Sequence, residues 1–168
     1  MIVVSDSTPL IHLSAVSGLH LLQRLFGTVT IPTAVLDEVA TFGAGRRGSR
    51  EVTAAVGAWI TVEPWTSTPR THRIMEQQRL QTGEAHAIEL AKAIPADIVL
   101  LDEQRAVEFA RSLGLTVART GGLYVAAKQA GLIPTVRPRL DALRAAGFWL
   151  KERDYLAILN ASGEVGSV

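Results

Sequence analysis

Short apolar segments rich in Val, Ile and Leu alternate along this chain with longer stretches of helical period, and that alternation narrows the fold more than any other feature. A segment of a few residues that is apolar throughout can be buried on both faces, as strands of a parallel sheet are. The helical stretches between such strands supply the crossovers that cover the sheet. Strands are predicted at Ile2 to Ser5, Val29 to Ile31, Trp59 to Val62, Ile98 to Leu101 and Leu115 to Ala118. Helices are predicted at about Pro9 to Ser17, Leu19 to Phe26, Pro32 to Thr41, Arg50 to Ala58, Arg70 to Gln81, Gly83 to Ala93, Glu103 to Leu113, Gly121 to Ala130, Arg137 to Ala145 and Lys151 to Leu159. Pro32 suits a first helical turn, and Gly114 and Gly131 stand where a left-handed cap closes a helix. The expected fold class is α/β, a three-layer α/β/α sandwich around a central parallel sheet.

A chain of 168 residues with 48% hydrophobic content is long enough to bury a continuous core. With no internal repeat and no dividing linker, the reading is one domain over residues 1–168, carrying a C-terminal helical extension from about residue 136. Uninterrupted apolar runs are only a few residues long, far short of the roughly 20 that cross a bilayer, so no membrane segment is expected. Met1 to Asp6 has no basic stretch ahead of its apolar run, which predicts a cytoplasmic protein. The absence of cysteine excludes disulfides, thiol catalysis and cysteine-ligated zinc. A net charge of +1 provides no global attraction to nucleic acid, so any such binding must come from local patches. Of the 17 basic residues 14 are arginine, a bias that suits phosphate recognition and that a GC-rich genome also produces. Arg46, Arg47 and Arg50 share the glycine-rich segment from Gly43 to Arg50, which reads as an exposed loop able to close over a ligand.

In an open parallel sheet the working crevice lies beyond the carboxyl ends of the strands. Asp6 directly follows Ile2-Val3-Val4-Ser5 and Asp102 follows Ile98-Val99-Leu100-Leu101, so both carboxylates are expected at one edge. Each also reads as the cap of the helix that follows it. Glu38 and Glu84 lie on helices that begin near the same edge. Glu84 falls in the first turn of Thr82-Gly83-Glu84-Ala85-His86-Ala87-Ile88, where the helix dipole favours an anion and apolar neighbours direct the helix inward. Glu38 adjoins Asp37, one of the two must face outward, and taken alone Glu38 reads as a solvated acid. Four carboxylates in one cleft repel one another and are tolerated mainly when a divalent cation neutralises them. Oxygen donors select hard ions such as Mg²⁺ or Mn²⁺, which points to phosphate substrates.

These segments resemble a family. Asp6-Ser7-Thr8-Pro9-Leu10-Ile11, Ile31-Pro32-Thr33-Ala34-Val35-Leu36-Asp37-Glu38-Val39, Gly83-Glu84-Ala85-His86-Ala87-Ile88 and Leu100-Leu101-Asp102 look like PIN domains. The opening from Ser7 to Ile11, with Thr120-Gly121-Gly122-Leu123 and Ala127 to Ile133, resembles a prokaryotic PIN-like family related to VapC toxins. The similarity spans roughly residues 1–145. It implies a Mg²⁺- or Mn²⁺-dependent endoribonuclease, often a toxin held by a small antitoxin protein. By position, Asp6, Glu38, Glu84 and Asp102 match the acidic quartet and Thr8 the hydroxyl residue that supports the first acid. In that reading Asp6, Asp102 and Glu84 ligate the ion, Glu38 acts through water, and Arg46, Arg47 and Arg50 hold the RNA backbone. The chain departs from the pattern in three places. Glu84 stands where toxins more often carry Asp, Asp102 runs into Glu103-Gln104-Arg105, and Arg119-Thr120-Gly121 stands where many relatives have a further acid or Asn. This implies one tightly held ion, with a second recruited by substrate.

Other classes are less well served. His12, His20, His72 and His86 form no i, i+4 ligand pair, no serine lies in a nucleophile elbow, and Thr120-Gly121-Gly122 lacks the spacing and lysine of a phosphate loop. The alternative of a different class is a catalytically silent PIN-like module that binds RNA or a protein. Apolar N-terminal helices and Gly147-Phe148-Trp149-Leu150 suggest a homodimer, though Phe148 and Trp149 equally read as cover for the core.

Overall fold

The structure is a computed structural model and describes residues 1–42, 45 and 48–165. Five strands form one all-parallel sheet: β1 (Val3–Ser5), β2 (Val29–Pro32), β3 (Ile60–Glu63), β4 (Ile98–Leu100) and β5 (Val117–Ala118). Their spatial order is β3-β2-β1-β4-β5. The chain therefore winds from β1 to one edge and then crosses back over β1 to build the other. Val3, Val4 and Ser5 pair with Ile98, Val99 and Leu100, so β1 and β4 end level with each other. The switch point between them is where an open α/β sheet leaves a crevice.

Alternate strand residues feed two cores. Val3 and Leu100 belong to a cluster completed by Leu10, Leu13, Leu21, Leu22, Leu123, Tyr124, Leu140 and Leu159. This layer contains α1 (Ser7–Ala15), α2 (His20–Phe26), α4 (Ser49–Ala55), α8 (Thr120–Gln129), α9 (Arg137–Ala145) and α10 (Glu152–Ala161). Val4, Val99 and Leu101 face the opposite way, toward a cluster with Ile88, Leu90, Ala106, Val107 and Ala110. There α6 (Thr82–Ala93) and α7 (Gln104–Ser112) cover the sheet, with α5 (Pro69–Gln78) packed beside α6. The result is the expected α/β/α sandwich, and among the described residues no helix is long and apolar enough to cross a membrane.

One predicted helix is not continuous. The segment expected to run from Pro32 to Thr41 begins as α3 (Thr33–Asp37) and widens into a π-helical turn over Glu38–Phe42. A π-turn inserts one residue into the helical register and so re-aims the side chains that follow, a device common at functional sites. Asp37 is left exposed while Glu38 turns half-buried toward the sheet edge. The strand predicted from Leu115 shortens to Val117–Ala118, and α1 starts two residues early because Asp6 caps it.

The C-terminal helices are integral to the first core, and a Cβ on Gly121 of α8 would collide with Ile158 of α10. Glu164 fastens this arm. Its Oε1 accepts from Lys128 Nζ at 2.8 Å and from the backbone N–H of Val136 at 2.6 Å, while Oε2 accepts from the N–H of Arg137 at 2.9 Å. One carboxylate thus joins α8, the N-terminus of α9 and the end of α10. Burial pushes the Glu164 carboxyl up, but the Lys128 hydrogen bond, the two backbone donors and the Lys128 charge together outweigh it and hold the group at about 2. A depressed folded-state value means stabilisation that is complete above the unfolded value of 4.5 and lost as pH falls toward about 2. Glu164→Gln should therefore lower the thermal midpoint at neutral pH. The gap from wild type should close as pH drops through that window, as read by circular dichroism melts.

Candidate active site

Asp6 leaves the end of β1 in extended conformation and caps α1, its Oδ2 accepting from the N–H of Thr8 at 3.3 Å. The side chain is nearly fully buried, with the residue only 2% exposed. Burial pushes its carboxyl up to about 7; the N–H groups of Ser7 and Thr8 pull it down, and the charges of Glu38 and Glu84 push it further up. Asp6, Glu38 and Glu84 are therefore electrostatic neighbours.

Glu38 is not the solvated acid it resembles in isolation. Its Oε1 accepts from the N–H of Gly83 at 2.8 Å and its Oε2 from the hydroxyl of Ser7 at 2.7 Å. The carboxylate lies on the first turn of α6, where unpaired N–H groups and the helix dipole favour a negative charge. Only glycine permits this approach, since a Cβ at residue 83 would come within 2.5 Å of Glu38 Oε2. Glu84 belongs to the same turn and closes a capping box, its Oε2 accepting from the N–H of Gln81 at 2.8 Å. Burial raises the Glu84 carboxyl, the Gln81 bond lowers it, and the charges of Glu103 and Glu38 raise it again. No ion pair among the described residues reaches Asp6, Glu38 or Glu84. Among the described residues this half of the crevice holds three acids and no cation paired with them.

Asp102, across the switch point, has different company. It does not cap α7; Glu103 is the cap residue there and makes no side-chain cap bond. Asp102 instead reaches the start of α8, accepting at Oδ1 from the N–H of Thr120 at 2.8 Å and at Oδ2 from its hydroxyl at 2.6 Å. His12 Nδ1 lies 2.8 Å from Oδ2, and Arg119 Nη2 donates to the Asp102 carbonyl at 2.5 Å. Burial pushes the Asp102 carboxyl up, but the His12 hydrogen bond and charge and the two Thr120 bonds prevail and hold it below its ordinary value. It stays ionised where Asp6 retains its proton toward neutrality.

The four acids thus stand as three carboxylates that repel one another and one, Asp102, hydrogen-bonded separately to His12 and Thr120. As they stand, no group of three or more His, Asp and Glu side chains among the described residues is arranged to hold a metal ion. In the bonding as it stands, Glu38 has both oxygens committed and Glu84 one. Thr8 contributes its backbone N–H to Asp6, and the hydroxyl linking the acids is that of Ser7. Arg50 is exposed on α4, with no hydrogen bond or ion pair to the acids among the described residues. Arg46 and Arg47 lie outside the described residues. Phe148 is partly buried against the core, whereas Trp149 is 83% exposed. Ser7, His12, Gly83 and Thr120 were not singled out in sequence. Thr120 carried a usable signal, because it follows its strand much as Asp6 and Asp102 follow theirs.

A parallel α/β/α sandwich with acids at the carboxyl ends of its two central strands defines a nuclease-type, PIN-like domain. The family model DUF3368, described as a PIN domain, matches residues 2–164, and the chain belongs to that PIN-domain family. PIN domains are generally nucleases and usually use divalent metals. No curated protein matches the chain.

Asp6 links the site to stability. The folded chain keeps this proton to about 7 while the unfolded chain releases it near 3.8, so the folded state binds more protons across that window and stability falls as pH rises through it. At roughly 1.4 kcal/mol per unit the penalty above neutrality is on the order of 4 kcal/mol. Asp6→Asn, measured metal-free by urea unfolding at about pH 4 and about pH 8, should be the more stable protein at the higher pH. It should also lose most of the wild-type decline between the two.

Proposed function

We propose that this PIN domain is a Mg²⁺- or Mn²⁺-dependent endoribonuclease, acting as the toxin of a two-component pair whose partner is a small antitoxin protein. The observation that carries the nuclease reading is the uncompensated acid group Asp6, Glu38 and Glu84 at the switch point. Three carboxylates sharing a buried site without a cation are costly, and an all-oxygen donor set suits a hard divalent ion. Open lone pairs rank the ligands. Asp6 accepts only long bonds of 3.3 and 3.4 Å, and Glu84 has an oxygen without a hydrogen bond. Asp102 retains a position on Oδ1, since Thr120 takes one there and Thr120 and His12 share Oδ2. Asp6, Glu84 and Asp102 would hold the ion, and Glu38, bonded at both oxygens, would act through water.

Bound there, Mg²⁺ or Mn²⁺ supplies a nucleophilic water near neutral pH and neutralises charge on the phosphate. Asp6 would have to give up its proton in that role, and the charge of the ion would offset the desolvation that holds its carboxyl up. Asp102 needs no such change. Glu38, anchored to Gly83 and Ser7, is placed to orient a water by its outer lone pairs. In such a hydrolysis a water oxygen would bond to phosphorus as one phosphate ester bond breaks, the water's proton passing to a carboxylate or solvent and the leaving oxygen taking a proton from solvent. The toxin role, the antitoxin and a homodimer draw their support from the resemblance to VapC toxins.

A second reading, a catalytically silent PIN-like module that binds RNA or protein, is favoured by one observation: in the described geometry the acids bond to backbone and hydroxyl donors, and no three of them are arranged to hold a metal ion. RNA cleavage separates the two. Purified protein with Mn²⁺ or Mg²⁺ should cut a mixed-sequence RNA, and EDTA, Asp6→Asn or Asp102→Asn should reduce the rate by at least about 100-fold. Equal cleavage by EDTA-treated or mutant protein would sink the metal mechanism, and no cleavage by wild type would favour the silent module.

A further inference from the structure

His12 has been given no role beyond occupying an oxygen of Asp102, yet among the described residues it is the histidine that hydrogen-bonds a site acid. Its Nδ1 sits 2.8 Å from Asp102 Oδ2, its side chain is 23% exposed, and that of Asp102 is 15% exposed. An ionised carboxylate only accepts hydrogen bonds, so Nδ1 must carry the hydrogen in this contact. The imidazole also packs against Phe148, whose ring centroid lies 4.3 Å away at an interplanar angle of 57°. That tilted geometry is the favourable one for aromatic pairs. Phe148 lies in the connection between α9 and α10 and packs partly buried against the first core.

The lone pairs of Asp102 give this contact a consequence. A carboxylate offers about four acceptor positions. Thr120 fills one on each oxygen, and His12 fills the second on Oδ2. The single position left is on Oδ1. We infer that His12 and Phe148 are positioning residues for Asp102: the C-terminal arm presses Phe148 onto the imidazole, which closes Oδ2 and leaves Oδ1 as the oxygen offered to a cation. The arm that Glu164 fastens to α8 and α9 thereby helps complete the site on β4. This rests on the metal-dependent reading above for its functional meaning. Groups that orient a metal-binding side chain from behind typically change metal affinity about 10- to 100-fold when removed.

The test uses the full chain and two readouts. In metal-free, ¹⁵N-labelled protein, long-range proton–nitrogen correlation reports which His12 nitrogen carries the hydrogen. Calorimetric titration of EDTA-stripped protein with Mn²⁺ reports affinity. Wild type should show the Nδ1–H form. Phe148→Leu, which keeps apolar bulk, should preserve it, whereas Phe148→Ala should lose it and bind Mn²⁺ about 10-fold more weakly. His12→Ala should weaken Mn²⁺ binding similarly. His12→Asn, whose amide nitrogen can stand near the place of Nδ1, should recover most of the loss. Circular dichroism checks folding, and if the His12 variants do not fold, the Phe148 pair decides.

Phe148→Ala and His12→Ala with wild-type Mn²⁺ affinity would overturn the inference while leaving the nuclease reading intact. A Phe148→Ala protein that keeps the Nδ1–H signature would also overturn it. If wild type takes up no Mn²⁺, the nuclease reading fails instead, and the His12 signal in the Phe148 variants still settles whether Phe148 positions the imidazole.

Discussion

The structure turns on a single buried carboxylate. Asp6 ends the central strand, at the place where the chain's winding reverses, and nearly all of it is withdrawn from water. An ionised group in that position is opposed by desolvation and by two neighbouring acids. The surrounding elements moderate that cost: α1 presents its first N–H groups to Asp6, the π-turn brings Glu38 round to Ser7, and α6 begins beside both. Stability surrendered at one point of an otherwise well-packed sheet is a common mark of a site shaped for function.

The first turn of α6 is the second element of that arrangement. Two carboxylates share it by different means, Glu84 through its own capping box and Glu38 through the N–H of Gly83 from another helix. The missing Cβ at residue 83 is what allows the second to approach. An anion at a helix N-terminus gains from the dipole and from otherwise unpaired donors, so repulsion among the acids is partly offset without any cation. The two sides of the crevice end up unlike: one is a set of acids that no ion pair reaches among the described residues, the other an aspartate already hydrogen-bonded to His12 and Thr120. An ion entering between them gains most from the first side and finds the second preset.

Much of this was legible in the chain. Apolar strands with polar residues directly after them marked Asp6 and Asp102, because strand periodicity and the crevice rule are local and topological facts that need no coordinates. Glu84 was legible as a first-turn acid on a buried helix. Glu38 was named only jointly with the other acids and through the family resemblance, since its inward turn depends on the π-turn, and widening one helical turn by a residue leaves no clear trace in hydrophobic spacing. His12 escaped because its partner lies 90 residues away on another strand. Phe148 was visible as apolar, but apolar character does not reveal what a ring rests against.

The sequence by itself determined the alternation of strands and helices, the three-layer class and which acids stand at strand ends, because these follow from short continuous apolar runs, helical 3.6 periodicity and local capping chemistry. Only the tertiary structure decided the strand order β3-β2-β1-β4-β5 and the pairing of Glu38 with Gly83. It alone decided that Asp102 bonds to Thr120 and His12, and that the C-terminal arm rests on His12. Those contacts join residues far apart in the chain, and their geometry is set by how whole elements pack, which no local pattern encodes.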